Sequence, residues 1–203
     1  MPDRIARDRR AVDLRGAVED PIDPRIAIVS FDRQVLAEPH AAENLHTPVD
    51  DAAERLGGRS IAKRKVPRAF AELADAHSKI VSYEAARELQ HERRAHPDRL
   101  SPILRGLLED GAGVAPSQYM NALAERDHGL AHIEQLFGDA DILLAPSALG
   151  EAPRMEEGTG DPVMSRAWTL LRLPTLTLPV GRGPNGLPLG LQMAARPGQD
   201  ARL

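Results

Sequence analysis

The chain has 203 residues, of which 42% are hydrophobic and 28% are charged, values that exclude a wholly disordered or collagen-like protein. Its 26 basic and 30 acidic residues give a formal net charge of −4, which disfavours a protein that mainly binds nucleic acid phosphates. The chain has no cysteine, which excludes disulfides, thiolate nucleophiles and cysteine-ligated zinc.

The sequence also lacks the marks of membrane and cofactor-binding proteins. No apolar run approaches the roughly 20 residues that cross a bilayer. Six of the first ten residues are charged, where a signal peptide would begin its apolar segment. No glycine pattern of a dinucleotide or phosphate loop occurs. We therefore expect a soluble, cytoplasmic protein with no membrane partner, no nucleic acid partner and no cofactor.

Two prolines divide the chain near its start. Residues 1–24 are predicted to form a charged arm or a short helix, because Pro21 and Pro24 interrupt any helix there. Residues 25–203 are predicted to form one α/β domain. This domain begins with an apolar, β-branched run at residues 25–30, which is typical of a buried strand.

A strand and two helices are predicted next. Residues 50–56 favour a short helix. Residues 60–66 favour a second strand, and the consecutive cations 63–65 place it at an exposed edge of a sheet. Residues 71–96 are rich in Ala, Glu, Arg and Leu and predict a long helix that ends before Pro97.

Two further helices begin at prolines. Ser101 is a good N-cap residue and Pro102 fits the first helical turn, so a helix is predicted from here to Gly111. Pro116 begins a longer helix, whose apolar residues recur with a period near 3.6. Gly138 is predicted to end this helix.

Strands dominate the final third of the chain. Residues 141–146 predict a buried strand, and residues 147–161 form a long loop of the kind that often carries function. Alternating apolar residues predict two more strands around residues 176–180 and 187–193, with a Pro-Asn-Gly turn at residues 184–186 between them. Strands that alternate with long helices indicate an α/β fold.

The best-placed candidates for metal ligands are His128 and His132, which lie one helical turn apart. A histidine pair without a third patterned ligand is a weak signal. We therefore interpret the pair as part of a solvated helix face and predict no metal site. A histidine-based metal protein remains as an alternative hypothesis.

The carboxyl-terminal motifs follow one another in a defined order: a strand, a loop, a tryptophan-bearing helix, a Leu-Pro strand and a Gly-Leu-Pro-x-Gly-x-Gln strand. They occupy residues 141–147, 159–162, 168–170, 173–181 and 186–192. This succession resembles the amidase signature family, hydrolases that cleave carbon–nitrogen bonds. The resemblance implies an α/β fold with a partial mixed sheet flanked by helices, and a chain that carries the family's carboxyl-terminal portion only.

In intact family members this portion lines the pocket for a small-molecule amide, so the resemblance implies pocket residues here. From their position in the motifs we expect these to be Pro146 and Thr159, at the two ends of the loop, and Trp168 on the following helix. A core position is the alternative for Trp168, because large aromatic side chains are usually buried. Gln192 is expected to hydrogen-bond a neighbouring backbone group. Arg172 departs from the small residue that the family usually has before Leu-Pro.

The family's catalytic residues are not found in these 203 residues. Members use a serine nucleophile, a second serine in a glycine-rich segment and a lysine base, which burial keeps neutral and which lies next to an aspartate. Here no two serines are adjacent, and none of Lys63, Lys65 and Lys79 precedes an aspartate. We therefore predict no catalytic residue and interpret the chain as an amidase-family fragment that is inactive alone.

A non-catalytic binding or partner module is the alternative hypothesis. Such a module would complement a separate chain that carries the missing catalytic half. Loss of half of a shared sheet would leave unpaired strand edges and an exposed apolar face. We therefore expect the isolated chain to self-associate.

Overall fold

The computed structural model of the chain describes residues 24–30, 62–67, 70 and 72–203. The predicted helix at residues 50–56 and almost all of the predicted arm at residues 1–24 lie outside this part. The strands are β1 (Ile26–Ser30), β2 (Ala62–Lys65), β3 (Ile142–Pro146), β4 (Thr175–Arg182) and β5 (Pro188–Ala194). The helices are α1 (Leu73–Glu88), α2 (Gln90–Ala95), α3 (Pro102–Gly113), α4 (Pro116–Ala131), α5 (Ile133–Phe137) and α6 (Val163–Leu170).

The five described strands form one mixed sheet in the order β2-β1-β3-β5-β4. Strand β1 pairs in parallel with β2 and β3, whereas β5 pairs antiparallel with β3 and β4. The predicted α/β fold, with a mixed sheet flanked by helices, is confirmed. Strand β2 lies at one end of this order, as its run of cations predicts.

Alternate residues of the central strands enter two separate apolar clusters. Ala27, Val29, Leu143 and Ala145 belong to a large cluster that also contains core residues of α1, α4, α5 and α6. The other face of the sheet belongs to a smaller cluster of strand residues. Side chains alternate between the two faces of a strand, so this division follows directly from the sequence. The smaller cluster consists of Ile26, Ile28, Ile142, Leu144 and Leu191, with Val180, Met193 and Leu203 packed against it.

Two predicted helices are each split into two. The long helix at residues 71–96 is divided at Leu89 into α1 and α2. The helix that begins at Pro116 is divided at His132 into α4 and α5. At His132 the ring Nδ1 lies 2.8 Å from the His128 carbonyl oxygen, while the backbone N–H donates to Gly129 instead. The side chain thus takes the acceptor that a continuing helix would use.

Two further helix ends match the predicted signals, whereas α3 continues to Gly113, two residues beyond its predicted end at Gly111. The Leu104 N–H donates to the Ser101 hydroxyl oxygen at 3.2 Å, which confirms Ser101 as the N-cap of α3. Helix α5 ends at Gly138, which has a positive φ of 55°. These local signals were sufficient to predict the helix ends, because each residue satisfies or positions backbone groups within its own helical turn.

An ion pair joins the start of β1 to the start of β3. The backbone N–H and the Nε–H of Arg25 donate to Asp141 Oδ2 at 3.1 and 3.2 Å. The Asp141 N–H donates to the Arg25 carbonyl oxygen at 2.7 Å. The side-chain hydrogen bond from Arg25 outweighs the effect of burial and lowers the pKa of Asp141 below its ordinary value. This contact aligns the two parallel strands at one end.

Helix α6 ends in a left-handed turn at Arg172. The Leu173 N–H donates to the Trp168 carbonyl and the Arg172 N–H to the Thr169 carbonyl, at 3.0 and 3.1 Å. This pair of bonds is a Schellman motif, whose left-handed position is normally glycine. Arg172 has a φ of 56° and is the one non-glycine residue with a positive φ in the described part of the chain. The backbone at this residue is therefore strained.

Replacement of Asp141 by asparagine tests the strand contact. We expect Asp141→Asn to lower the free energy of unfolding by about 1 kcal/mol near neutral pH, since it removes the charge and keeps the shape. The folded pKa of Asp141 is depressed, so its contribution is present above the ordinary carboxylate pKa and is lost as pH falls through the folded pKa. Urea unfolding at neutral and acidic pH measures both effects. Asp127→Asn, in an exposed pair with Arg126, is the matched control; an equal loss in both variants would contradict the prediction.

Replacement of Arg172 by glycine tests the strained turn. We expect Arg172→Gly to raise the free energy of unfolding by about 0.5–1 kcal/mol, because glycine adopts a positive φ without the Cβ clash. Arg172→Ala removes the same side chain but keeps the Cβ, so it should give no such gain. Urea unfolding of the two variants is the measurement, and a midpoint for the glycine variant below that of the alanine variant would refute the explanation.

Candidate functional site

A groove of about 850 Å³ lies at the carboxyl end of β3. The loop at residues 147–161 follows β3 directly and folds against the β4–β5 hairpin turn, so the two segments form opposite walls. The sequence predicted both the long loop and the Pro-Asn-Gly turn. Their contact brings together side chains that are more than thirty positions apart.

Glu151 holds these two walls together. Its carboxylate accepts hydrogen bonds from the backbone N–H of Asn185 at 3.1 Å and of Leu187 at 2.8 Å, and from Asn185 Nδ2 at 2.7 Å. Gly183 makes this approach possible, because a Cβ atom there would lie 2.5 Å from Glu151 carbons. Desolvation raises the pKa of Glu151, but the hydrogen bonds from Asn185, Leu187 and Gly186 together outweigh it and leave the pKa lowered.

Ser147 marks the floor of the groove. Its backbone N–H donates to the Gly190 carbonyl oxygen at 3.0 Å, which extends the pairing of β3 with β5 by one residue. A Cβ atom at Gly190 would overlap the Ser147 hydroxyl. Glycine at this position therefore allows the Ser147 hydroxyl to keep its place beside β5. The Ser147 hydroxyl is placed among the residues that line the groove.

The charged groups of the groove are largely engaged with one another. Asp161 forms an ion pair with Arg166 at 3.1 Å, and Glu157 accepts a hydrogen bond from the Arg154 backbone N–H at 3.3 Å. Among the described residues that line the groove, neither lysine nor histidine is present. The groove therefore offers polar contacts to a small molecule, but its described lining includes neither the lysine that serves as the base in this mechanism nor a histidine.

The three residues predicted for the pocket lie in different environments. Thr159 is exposed and lines the groove. Pro146 is the buried last residue of β3, directly before the groove. Trp168 is 2% exposed and belongs to the large apolar cluster together with Phe137. Of the three, the structure brings only Thr159 to the groove wall.

The lysines and histidines considered from the sequence lie on the surface. Lys63 and Lys65 are exposed on β2, and Lys79 forms an exposed i, i+4 ion pair with Asp75. His128 is exposed, and its ring lies 4.3 Å from that of His132. Within residues 24–30, 62–67, 70 and 72–203, no group of three or more His, Cys, Asp or Glu side chains is arranged to hold a metal ion.

Three features of the site were not predicted from the sequence. The bridge made by Glu151 has no local signal, because its partners are 34 and 36 positions away. The contact between Ser147 and Gly190 also depends on strand pairing. The unpaired carbonyl of Gln192 was not predicted either: the side chain is 7% exposed, and Oε1 has no hydrogen-bond partner among the described residues. Its neighbours across the sheet are Ala145 and Thr177.

Comparison with protein families gives one match: the Amidase family model matches residues 9–203. The chain is 31% identical over 116 residues to 2-amino-5-chloromuconic acid deaminase of Comamonas testosteroni. This aligned region covers 52% of this chain and 25% of that protein. It is 32% identical over 108 residues to a subunit of the glutamyl-tRNA(Gln) amidotransferase of Agathobacter rectalis. This second aligned region covers 48% of this chain and 21% of that relative.

Comparison with solved structures gives the same fold. A crystal structure of an amidase superposes with a TM-score of 0.72 at 24% identity, over 90% of this chain and 44% of that one. The substrate complex of 6-aminohexanoate cyclic dimer hydrolase superposes with a TM-score of 0.70 at 18% identity, over 92% of this chain and 44% of that one. The chain thus matches about a quarter of the curated relatives' length and less than half of these solved structures.

In the described part of the chain, no helix has the length and apolar character needed to cross a membrane.

Removal of the Glu151 carboxylate tests the groove wall. We expect Glu151→Ala to speed hydrogen exchange of the Asn185 and Leu187 amides several-fold, because both lose their acceptor. In the unchanged protein the folded pKa of Glu151 is depressed, so these amides should stay protected above the ordinary carboxylate pKa. That protection should weaken as pH falls through the folded pKa.

The matched control is Glu157→Ala, which removes a neighbouring groove carboxylate whose described bond is to Arg154. It should leave the two amides unchanged. Equal exchange rates in Glu151→Ala and in the unchanged protein would show that the carboxylate does not hold the hairpin turn.

Proposed function

This chain belongs to the amidase family, and from that premise we propose that it takes part in hydrolysis of a small-molecule amide to a carboxylate and ammonia or an amine. We propose further that it contributes pocket and scaffold, while the serine nucleophile and the lysine base come from outside these 203 residues. Alone, the chain is inactive.

One observation carries the proposal of inactivity: every lysine of the chain is on the surface. A lysine accepts a proton from a serine hydroxyl only when its amine is neutral, which at physiological pH requires burial. Lys63 and Lys65 are exposed on β2, and the ammonium of Lys79 is paired with Asp75 on α1. The absence of adjacent serines in the sequence supports the same conclusion.

The pocket we propose is built around the groove at the end of β3. Thr159 would contact the substrate from the loop wall, since it is exposed there. Pro146 would fix the point at which the loop leaves the sheet. Trp168 would act as a positioning residue, because it packs in the same apolar cluster as Ala145 of β3. The substrate itself would be a small amide, as in the hydrolases of this family.

A non-catalytic partner module is the second candidate function. The observation that favours it is a groove whose two walls are joined by hydrogen bonds but whose described lining contains no lysine and no histidine. In this version a separate polypeptide with the Ser-Ser-Lys residues binds the chain and completes the site. In both candidate functions, residues 25–203 form the carboxyl-terminal part of an amidase-like domain.

The purified chain alone tests the proposal directly. We expect no ammonia release from simple aliphatic and aromatic amides above the level of a panel of single Ser→Ala variants. We also expect no covalent adduct with a fluorophosphonate probe, because none of the chain's lysines is buried and able to act as a base. Colorimetric ammonia detection and intact-mass spectrometry are the measurements.

Ser147→Ala is the most informative member of the panel, because Ser147 is the serine that lines the groove. Turnover that disappears in this variant, or a probe adduct mapped to any serine, would overturn the proposed inactivity. Circular dichroism of the same samples establishes that the absence of turnover is measured on folded protein.

A further inference from the structure

The hairpin turn that forms one wall of the groove contains an Asn-Gly pair, Asn185-Gly186. In such a pair the backbone nitrogen of the glycine can attack the side-chain carbonyl carbon of the asparagine, because glycine has no Cβ to hinder the approach. A bond forms between the Gly186 nitrogen and Asn185 Cγ, and the Cγ–Nδ2 bond breaks. Nδ2 leaves as ammonia and takes the proton of the Gly186 N–H. Water then opens the five-membered imide to aspartate or isoaspartate.

The folded turn holds both reacting groups in hydrogen bonds. The Gly186 N–H, whose nitrogen is the nucleophile, donates to the Gly183 carbonyl oxygen at 3.0 Å. The leaving group, Asn185 Nδ2, donates to Glu151 Oε2 at 2.7 Å. The Gly183 N–H donates to the Leu187 carbonyl oxygen at 2.9 Å, which closes the loop around the pair. Attack moves the Gly186 nitrogen toward the Asn185 side chain, so the turn must open before the reaction can occur.

Glu151 is the contact that ties this turn to the opposite wall. Residues 184–187 are all exposed, so burial contributes little to holding them. The Glu151 carboxylate accepts hydrogen bonds from the backbone N–H groups on either side of Gly186, at 3.1 and 2.8 Å. Arg182 Nη1 donates to the Gly186 carbonyl oxygen at 2.6 Å, but Arg182 belongs to the same hairpin. How often the turn opens therefore depends largely on one carboxylate.

Deamidation would turn the contact between the two walls from attraction into repulsion. Asn185 Nδ2 is a donor to Glu151, whereas an ionised aspartate at the same position would offer only acceptor oxygens. Two carboxylates that share one site repel each other when both are ionised. Isoaspartate would add a methylene group to the main chain of the turn. This addition would displace the backbone N–H groups that bond to Glu151.

We propose that Asn185-Gly186 is a site of spontaneous deamidation that Glu151 restrains, and that the product releases the groove loop from the hairpin turn. The two effects reinforce each other, because opening of the turn permits the reaction and the reaction keeps the turn open. The groove wall changes once and irreversibly, with water as the only co-reactant. This inference does not depend on the proposed function, since it follows from the contacts of the turn.

The restraint is tested by ageing the purified full chain at mildly alkaline pH, followed by peptide mass spectrometry that separates aspartate from isoaspartate. We expect product at Asn185 in the unchanged chain, formed at least about threefold faster in Glu151→Ala because the turn opens more often. Glu157→Ala removes a neighbouring groove carboxylate and should age like the unchanged chain. Asn121, which Ala122 follows inside α4, is an internal control and should stay unmodified.

The release is tested with variants that imitate the product. Asn185→Asp should speed hydrogen exchange of the Leu187 amide several-fold, because the new carboxylate repels Glu151. Asn185→Ser is the matched control, since it also removes the Nδ2 hydrogen bond but adds no charge, and its effect should be smaller. Combining Asn185→Asp with Glu151→Gln removes the repulsion and should slow the exchange again. Circular dichroism establishes that each variant is folded.

Three results would overturn the inference. Absence of product at Asn185 in both the unchanged chain and Glu151→Ala would show that the pair is not a deamidation site. Equal rates of product formation in these two proteins would show that Glu151 does not restrain the reaction. Exchange of the Leu187 amide that is no faster in Asn185→Asp than in Asn185→Ser would show that the product does not release the loop.

Discussion

Strand β3 joins the two halves of the sheet, with β1 in parallel on one side and β5 antiparallel on the other. Its five residues are all buried, and both of its faces are apolar. In most strands a shift of one residue exposes the apolar side chains, which fixes the register; a strand that is apolar on both faces lacks this safeguard. Polar contacts at the two ends supply it here, through Asp141 with Arg25 and Ser147 with Gly190. The position of the groove depends on this register, because the loop that forms it leaves the sheet where β3 ends.

The sequence was most informative where a structural feature depends only on residues close together in the chain. Ser101 caps α3, and the β-branched or alternating runs of β1, β3, β4 and β5 appear in the structure as strands. The division of α4 from α5 was not predicted, because a histidine ring competing for a carbonyl is invisible to a pattern of apolar spacing. The bridge from Glu151 to Asn185 was missed for a different reason: it requires the loop and the hairpin to meet in space. The motifs that resemble the amidase family identified the fold but could not distinguish Thr159 at the groove from Trp168 in the core.

The structure separates two properties that usually occur together in an enzyme. The groove has walls that Glu151 holds together, yet the three lysines of the chain lie on β2 and α1, at the surface. Order in a pocket comes from hydrogen bonds and packing, whereas activation of a nucleophile requires a base whose pKa is shifted by burial. A chain can therefore keep an ordered pocket and yet lack a base that activates a nucleophile.

The pairing of β1 with β3 also governs the order of events during synthesis. Arg25 and Asp141 are 116 positions apart, so the parallel centre of the sheet cannot close until most of the polypeptide has left the ribosome. Until then β1 can pair with β2, but its second neighbour, β3, has not been made. Contacts this distant slow folding because a large loop must close first. Closure of the sheet around residues 142–146 is therefore expected to be a late step in folding.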